Sequence, residues 1–544
     1  MIRDIEDGGR RFRIDTTSQV LGLECPEDVS YERDDALKPS ISALGPARFV
    51  SASVLAAKAK AFDDGLIAAV DLAAQSGAGK FEGKASFLAS LPGDIASAAR
   101  HLGTGAAATP AAEKLVQEFL GNERLSKPLG FYTWSPELER IFRQDRMMQT
   151  EFTGEADFAA AARALHARPQ LRSAYEAWMS LNERLTNPFT RPSLRSALSA
   201  LDRGAPVVFE RGTAWAPPSE SLEGALVKRL FANQPIPDGF NLADKLIEEI
   251  RKGAVTLTPA ANSGWYDRIA WSLLTLAMPE SGDEARKLDF GEEYRKTLEQ
   301  LFKGILALAR ESHVKQLEAP SVGSGMPAFR LRPDLSVEPL PTHYLRRALG
   351  YRFVREVLES TFGAGTLREL KRQTGRGPVK TALDEELSLM EGLFLGAHAT
   401  ACVEIGLPPQ EGIESQSRFQ AWREGLADDV DLAEDNRMMV PVFFDMQRRQ
   451  TKVWVFLGWT SRPLQVRFKV PPKVDVLAWP GKKSWFGFGK APPPPAHVEF
   501  GNATFALAYP VTAEVYISKQ MNREEFRAHC DRFRTEKAIL ENLR

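Results

Sequence analysis

The chain has 544 residues, 43% of them hydrophobic and 26% charged, which is text for two or more folded domains and far from the composition of a disordered chain. A net charge of −1 supplies no global field toward nucleic acid or an anionic membrane, so either would need a local patch. Cys25, Cys402 and Cys530, odd in number and far apart, spell neither a disulfide framework nor a zinc ribbon.

The N-terminus, MIRDIEDGGRRFRID, lacks the apolar centre of a secretory signal, and no run of about 18 apolar residues occurs. The expectation is a soluble chain, cytoplasmic by default and periplasmic or extracellular if a leader was removed. Residues 1–47, broken by Pro26, Pro39 and Pro46, read as an irregular arm. Residues 48–436 then read as a helical body, with a subdivision near 205–240, opening on an Ala-rich pattern from Arg48 to about Gln75. Ser135 followed by Pro136 is a helix start, because the serine oxygen caps free N–H groups and proline has none to waste. Further helices are expected at 155–185, 193–203, 220–233, 241–252, 265–278, about 284–317, 341–362 and 382–406.

At Arg437 the texture changes, and residues 437–518 are dense in Val, Phe and Trp. Lys452–Trp459 reads as a central strand. In PLQVRFKV, Leu464, Val466, Phe468 and Val470 alternate with polar residues, as in a half-buried antiparallel strand. A charged helix, MNREEFRAHC and onward, closes the chain. The fold class is therefore α+β, a mainly helical body followed by a β-rich region over 437–544.

Several motif-like strings lack the chemistry they mimic. AGKFEGKA has alanine where a phosphate loop needs its first glycine and again where it needs the metal-binding hydroxyl. Ser312 and Lys315 have S-x-x-K spacing inside a long helix, which chance alone supplies. His398 and Cys402, with Glu391 two turns earlier, share a helix face, but no second ligand helix can be named, and the expectation is no metal. No cofactor or small molecule is indicated.

The stretch 446–490 is basic and aromatic, yet its aromatics fall at core positions and an acidic stretch precedes it, so nucleic acid is not the expected partner. Its loop is sharper: Trp485, Phe486 and Phe488 are interleaved with glycines, flanked by Lys482 and Lys483 and stopped by prolines. Such a loop would serve a protein partner, self-association or a membrane surface.

Two segments resemble a large uncharacterised family of bacterial and archaeal proteins, mostly exported. In PLGFYTWSPELERIF the match falls on Pro128, Gly130, Tyr132, Thr133, Ser135, Glu137 and Leu138. In VEPLPTHYLRR it falls on Val337, Glu338, Pro339, Pro341, Tyr344 and Arg346. An Asp-Thr pair of the family pattern is Ala309-Arg310 here, and a tyrosine is His313. The resemblance implies no established activity and brings export into consideration. From the residues themselves, Glu338, His313, Tyr344 and His343, with Lys315, are the acid–base set a hydrolase would draw on, and Glu338 is expected to pair with Arg346 or Arg347. The primary expectation is a binding or scaffold component working through the β-rich region; the alternative is a hydrolase with its site in the helical body.

Overall fold

An Ala-rich segment with small side chains on every side can lie deep in a helical body, and α1 (Ala52–Ser76) does so, with 21 of its 25 residues buried. The computed structural model describes residues 2–7, 10–26, 37–45, 49–189, 191–219, 221–231, 236–237, 239–313, 333–478 and 500–543. The fold is α+β, a helical body with an antiparallel sheet and closing helices at its C-terminal end.

Eight further helices position the site: α2 (Pro136–Met148), α3 (Leu222–Phe231), α4 (Leu242–Arg251), α5 (Trp265–Ser272), α6 (Glu292–Ser312), α7 (Pro341–Phe362), α8 (Leu383–Ile405) and α9 (Arg523–Cys530). α6 packs on α1, and α7 packs on both α5 and α8. Ser135 Oγ accepts the Leu138 N–H at 3.2 Å with Pro136 in the first turn of α2, as the sequence predicts. The expected helix over 155–185 is two, because Pro169 starts the second, and that over 265–278 also divides after Ser272.

The arm expected to be irregular carries three strands in its first 24 residues. β1 (Ile2–Asp7) and β2 (Arg10–Asp15) form an antiparallel pair, and β2 continues onto β7 (Lys473–Ala478). β3 (Leu21–Glu24) lies between β4 (Leu288–Phe290) and β6 (Gln450–Phe468). β6 carries both predicted strands, 452–459 and 464–468, in a single run of 19 residues. β8 (Ala503–Ile517) pairs along almost its whole length, so β5 (Met438–Asp445) and β3 must share its other edge, end to end. Between them Lys38 bridges Trp459 through two backbone hydrogen bonds of 2.8 Å. Gly458 makes this approach feasible: its φ is +135°, and a Cβ there would lie 2.5 Å from the Lys38 carbonyl.

The centre of β6 is buried as expected, Val453 to Leu457 at 0–1% exposure. The alternation beyond it is less regular. Gln465 is buried between β3 and β8, and Val470 lies past the strand and is exposed. One apolar core runs from Leu21 through the helices to Leu507, so the body and the sheet bury their surfaces against each other. Among the described residues no helix is long and apolar enough to cross a membrane.

Candidate functional site

α1 carries Lys60, Asp63 and Asp64 near its middle, where the helix has no solvent face to receive them. A buried ion without a partner costs several kcal/mol, so each needs an opposite charge. α6 brings Glu311, α7 brings Arg347 and α9 brings Arg523. Lys60 Nζ bonds Asp64 Oδ1 at 2.5 Å and also reaches Glu311. Arg523 donates to Glu311 Oε1 through Nε at 3.0 Å and to Asp64 Oδ2 through Nη2 at 2.8 Å. Asp63 takes Arg347 as its partner and accepts from the Tyr351 hydroxyl at 2.9 Å. Three cations thus meet three anions, all at most 5% exposed. Burial acts to raise the Glu311 carboxyl, but Arg523 and Lys60 overcome it and hold the group well below the usual carboxylate range. Gly130, with φ +57°, lets the chain pass this layer, since a Cβ there would stand 3.1 Å from Glu311 Oε1.

The acid–base residues named from the sequence do not assemble around Glu338. Its carboxylate accepts the Ala52 N–H at 2.8 Å and the Tyr294 hydroxyl at 2.7 Å, which makes it the cap of α1. Burial raises this carboxyl while the two hydrogen bonds oppose the rise. Tyr344 donates to the backbone oxygen of Glu338, not to the carboxylate. The expected pairing with Arg346 or Arg347 does not form: Asp63 takes Arg347, and Arg346 lies over Trp271 and bonds its carbonyl at 3.1 Å. His343 Nδ1 is 2.8 Å from the Ser272 carbonyl, and burial pushes the ring down to about 4. His313 packs edge-on to Trp265 and Tyr266. Lys315, Lys482, Lys483, Trp485, Phe486 and Phe488 lie outside the described residues.

In the segment around Tyr132, the Tyr132 hydroxyl donates to Asp71 of α1 at 2.6 Å, so it and the Glu338 segment fasten onto the same helix. His398 uses both ring nitrogens: Nδ1 is 2.9 Å from the Pro341 carbonyl and Nε2 accepts the Gln410 N–H at 3.2 Å. The ring is therefore neutral with its proton on Nδ1. Glu391 pairs with Arg352 and Arg355, and among the described residues no cluster of His, Cys, Asp and Glu is arranged for a metal. Within the basic stretch, Lys452 pairs with Glu514, Arg448 with Asp445 and Lys469 with Asp289.

Sequence reasoning missed the cleft that opens above the charge layer. It has a volume of about 100 Å³, a base formed by Lys60, Asp64 and Arg523, and walls that include Trp134, Asn436 and Glu434. A second cavity, about 10 Å³, lies on the inner side of Lys60 against Asp63, His343 and Arg347, with the size of a single water site. A signal for both was present in AAKAKAFDDGLIAAV, where charges interrupt a helix that is otherwise apolar nearly all round. No protein-family model, no curated protein and no solved structure matches the chain.

Proposed function

We propose that this protein is a binding or assembly component that acts through its β-rich C-terminal region, with the helical body as a rigid support. The observation that carries this reading is the use of the best acid–base candidate as architecture: the Glu338 carboxylate caps α1 and takes the Tyr294 hydroxyl, and it is 2% exposed. The cysteines agree, because all three are buried and burial pushes their thiols up to about 12, which leaves no thiolate to act as a nucleophile. The partner is a protein or a second copy of the chain, with a membrane surface as the alternative.

Two variants test this. Replacing Trp485, Phe486 and Phe488 together by Ser is expected to abolish self-association or partner retention in sedimentation velocity while circular dichroism stays unchanged. Glu338→Gln is expected to cost about 1–2 kcal/mol of stability through the weakened cap, with association intact. Ester or peptide hydrolysis that Glu338→Gln removes with no loss of stability would overturn the reading in favour of a hydrolase.

A further inference from the structure

The cleft above the charge layer presents hydrogen-bond donors that the fold itself leaves open. Arg523 is 5% exposed, and its Nε and Nη2 are spent on Glu311 and Asp64, yet among the described residues its Nη1 has no acceptor within hydrogen-bond distance; Glu434 Oε1 stands 3.8 Å from it. Asn436 is 6% exposed, and its Oδ1 accepts from Trp459 Nε1 at 2.9 Å. Tryptophan is only a donor, so the amide orientation is fixed and Nδ2 is the atom left over. At the mouth, the exposed Arg376 guanidinium has no side-chain partner among the described residues. One acceptor is also open, because among the described residues Glu434 receives Arg527 on Oε1 at 3.0 Å and no hydrogen bond on Oε2.

We propose that this cleft binds a small zwitterion of the α-amino-acid class. Its carboxylate is received by Arg523 Nη1, Asn436 Nδ2 and Arg376, its ammonium by Glu434 Oε2, and its side chain lies along the half-buried Trp134 indole. Charge balance selects the zwitterion over simpler ions. The lining carries four basic and four acidic side chains, so there is no net field to hold a lone ion. A bare carboxylate on Arg523 would set a second negative charge against Glu434, and like charges brought together cost several kcal/mol. A bare amine would leave the buried donors Arg523 Nη1 and Asn436 Nδ2 unanswered, with the desolvation loss that follows. The volume of about 100 Å³ admits a compact molecule and excludes a folded partner. This inference stands apart from the interface proposed for the β-rich region.

Isothermal titration of the full chain with the proteinogenic amino acids, singly and at up to about 10 mM, registers even a millimolar Kd. At least one is expected to bind saturably at one site per chain, with its methyl ester and its N-acetyl derivative each at least about tenfold weaker. Arg376→Ala and Glu434→Gln are each expected to weaken that amino acid about tenfold, about 1.4 kcal/mol. Arg376→Ala removes an exposed side chain with no side-chain partner among the described residues, so its melting temperature should equal the wild type's and loss of binding cannot be loss of fold. Absence of heat from every amino acid overturns the proposal, as does equal binding of the ester and acetyl forms, or binding indifferent to both substitutions.

Discussion

Glu311 answers to two cations at once, so its substitution is felt at both. Glu311→Gln leaves Lys60 and Arg523 sharing Asp64 in an interior where water does not compensate, and removal of one member of a buried pair typically costs about 3–5 kcal/mol. Urea unfolding at neutral pH should show a loss of that size with an unchanged m-value. The pH dependence has a definite sign. A carboxyl held below its usual 4.5 contributes stability that is fully present above that pH and is lost as pH falls through the folded value. The gap between wild type and variant should therefore close only in acid. Little of this was legible beforehand: Arg523 sits in MNREEFR, which reads as a solvated helix start, and only the tertiary fold buries it against Asp64. Glu338 was legible as a titratable group, but its role as a cap depends on Ala52, 286 positions away.

Glu404, at the end of α8, fixes the strand-like segment that leads into α7: its carboxylate accepts the Ser336 N–H at 3.0 Å together with the Ser336 hydroxyl. Burial outweighs these bonds and pushes the carboxyl up to about 7. A raised acid binds its proton more tightly folded than unfolded, so its contribution to stability is present below 4.5 and declines as pH rises through about 7. Relative to wild type, Glu404→Gln should gain stability across that window, by at most about 3 kcal/mol, measured as the difference of denaturation midpoints at pH 4.5 and 7.5. His343, pushed down to about 4, acts in the opposite sense over much of the same range, so the comparison between variants separates them where the wild-type profile alone does not. At this scale β6 was readable because Val, Trp and Phe crowd its centre, α7 because Pro341 marks its first turn, and α8 because its apolar run is too long for a strand. β3 was not: LGLE is four residues long, and its partners β4 and β6 lie hundreds of positions downstream. A strand that short is defined by what it pairs with rather than by its own text.

Across the whole molecule the two ends of the chain meet. β2 pairs β7, Lys38 bridges Trp459, and α9 sends Arg523 back to α1. A chain ended at Gln520 should then be destabilised far beyond the few contacts an exposed tail would lose, because Asp64 and Glu311 are left with Lys60 as their only cation among the described residues and the second apolar cluster loses Phe526, Cys530, Ile539 and Leu543. Limited proteolysis should cut α1 in that chain and spare it in the full one; equal resistance of both would show that the layer holds without α9.

Arg523 also sets an order in time. It and Asp64 are 459 positions apart, and ribosomes deliver roughly 5–20 residues per second, so α1 leaves the ribosome roughly 20–90 seconds before its arginine is made. Throughout that interval Asp64 must stay wet or lean on Lys60, and only the arrival of Arg523 lets this part of the interior dry.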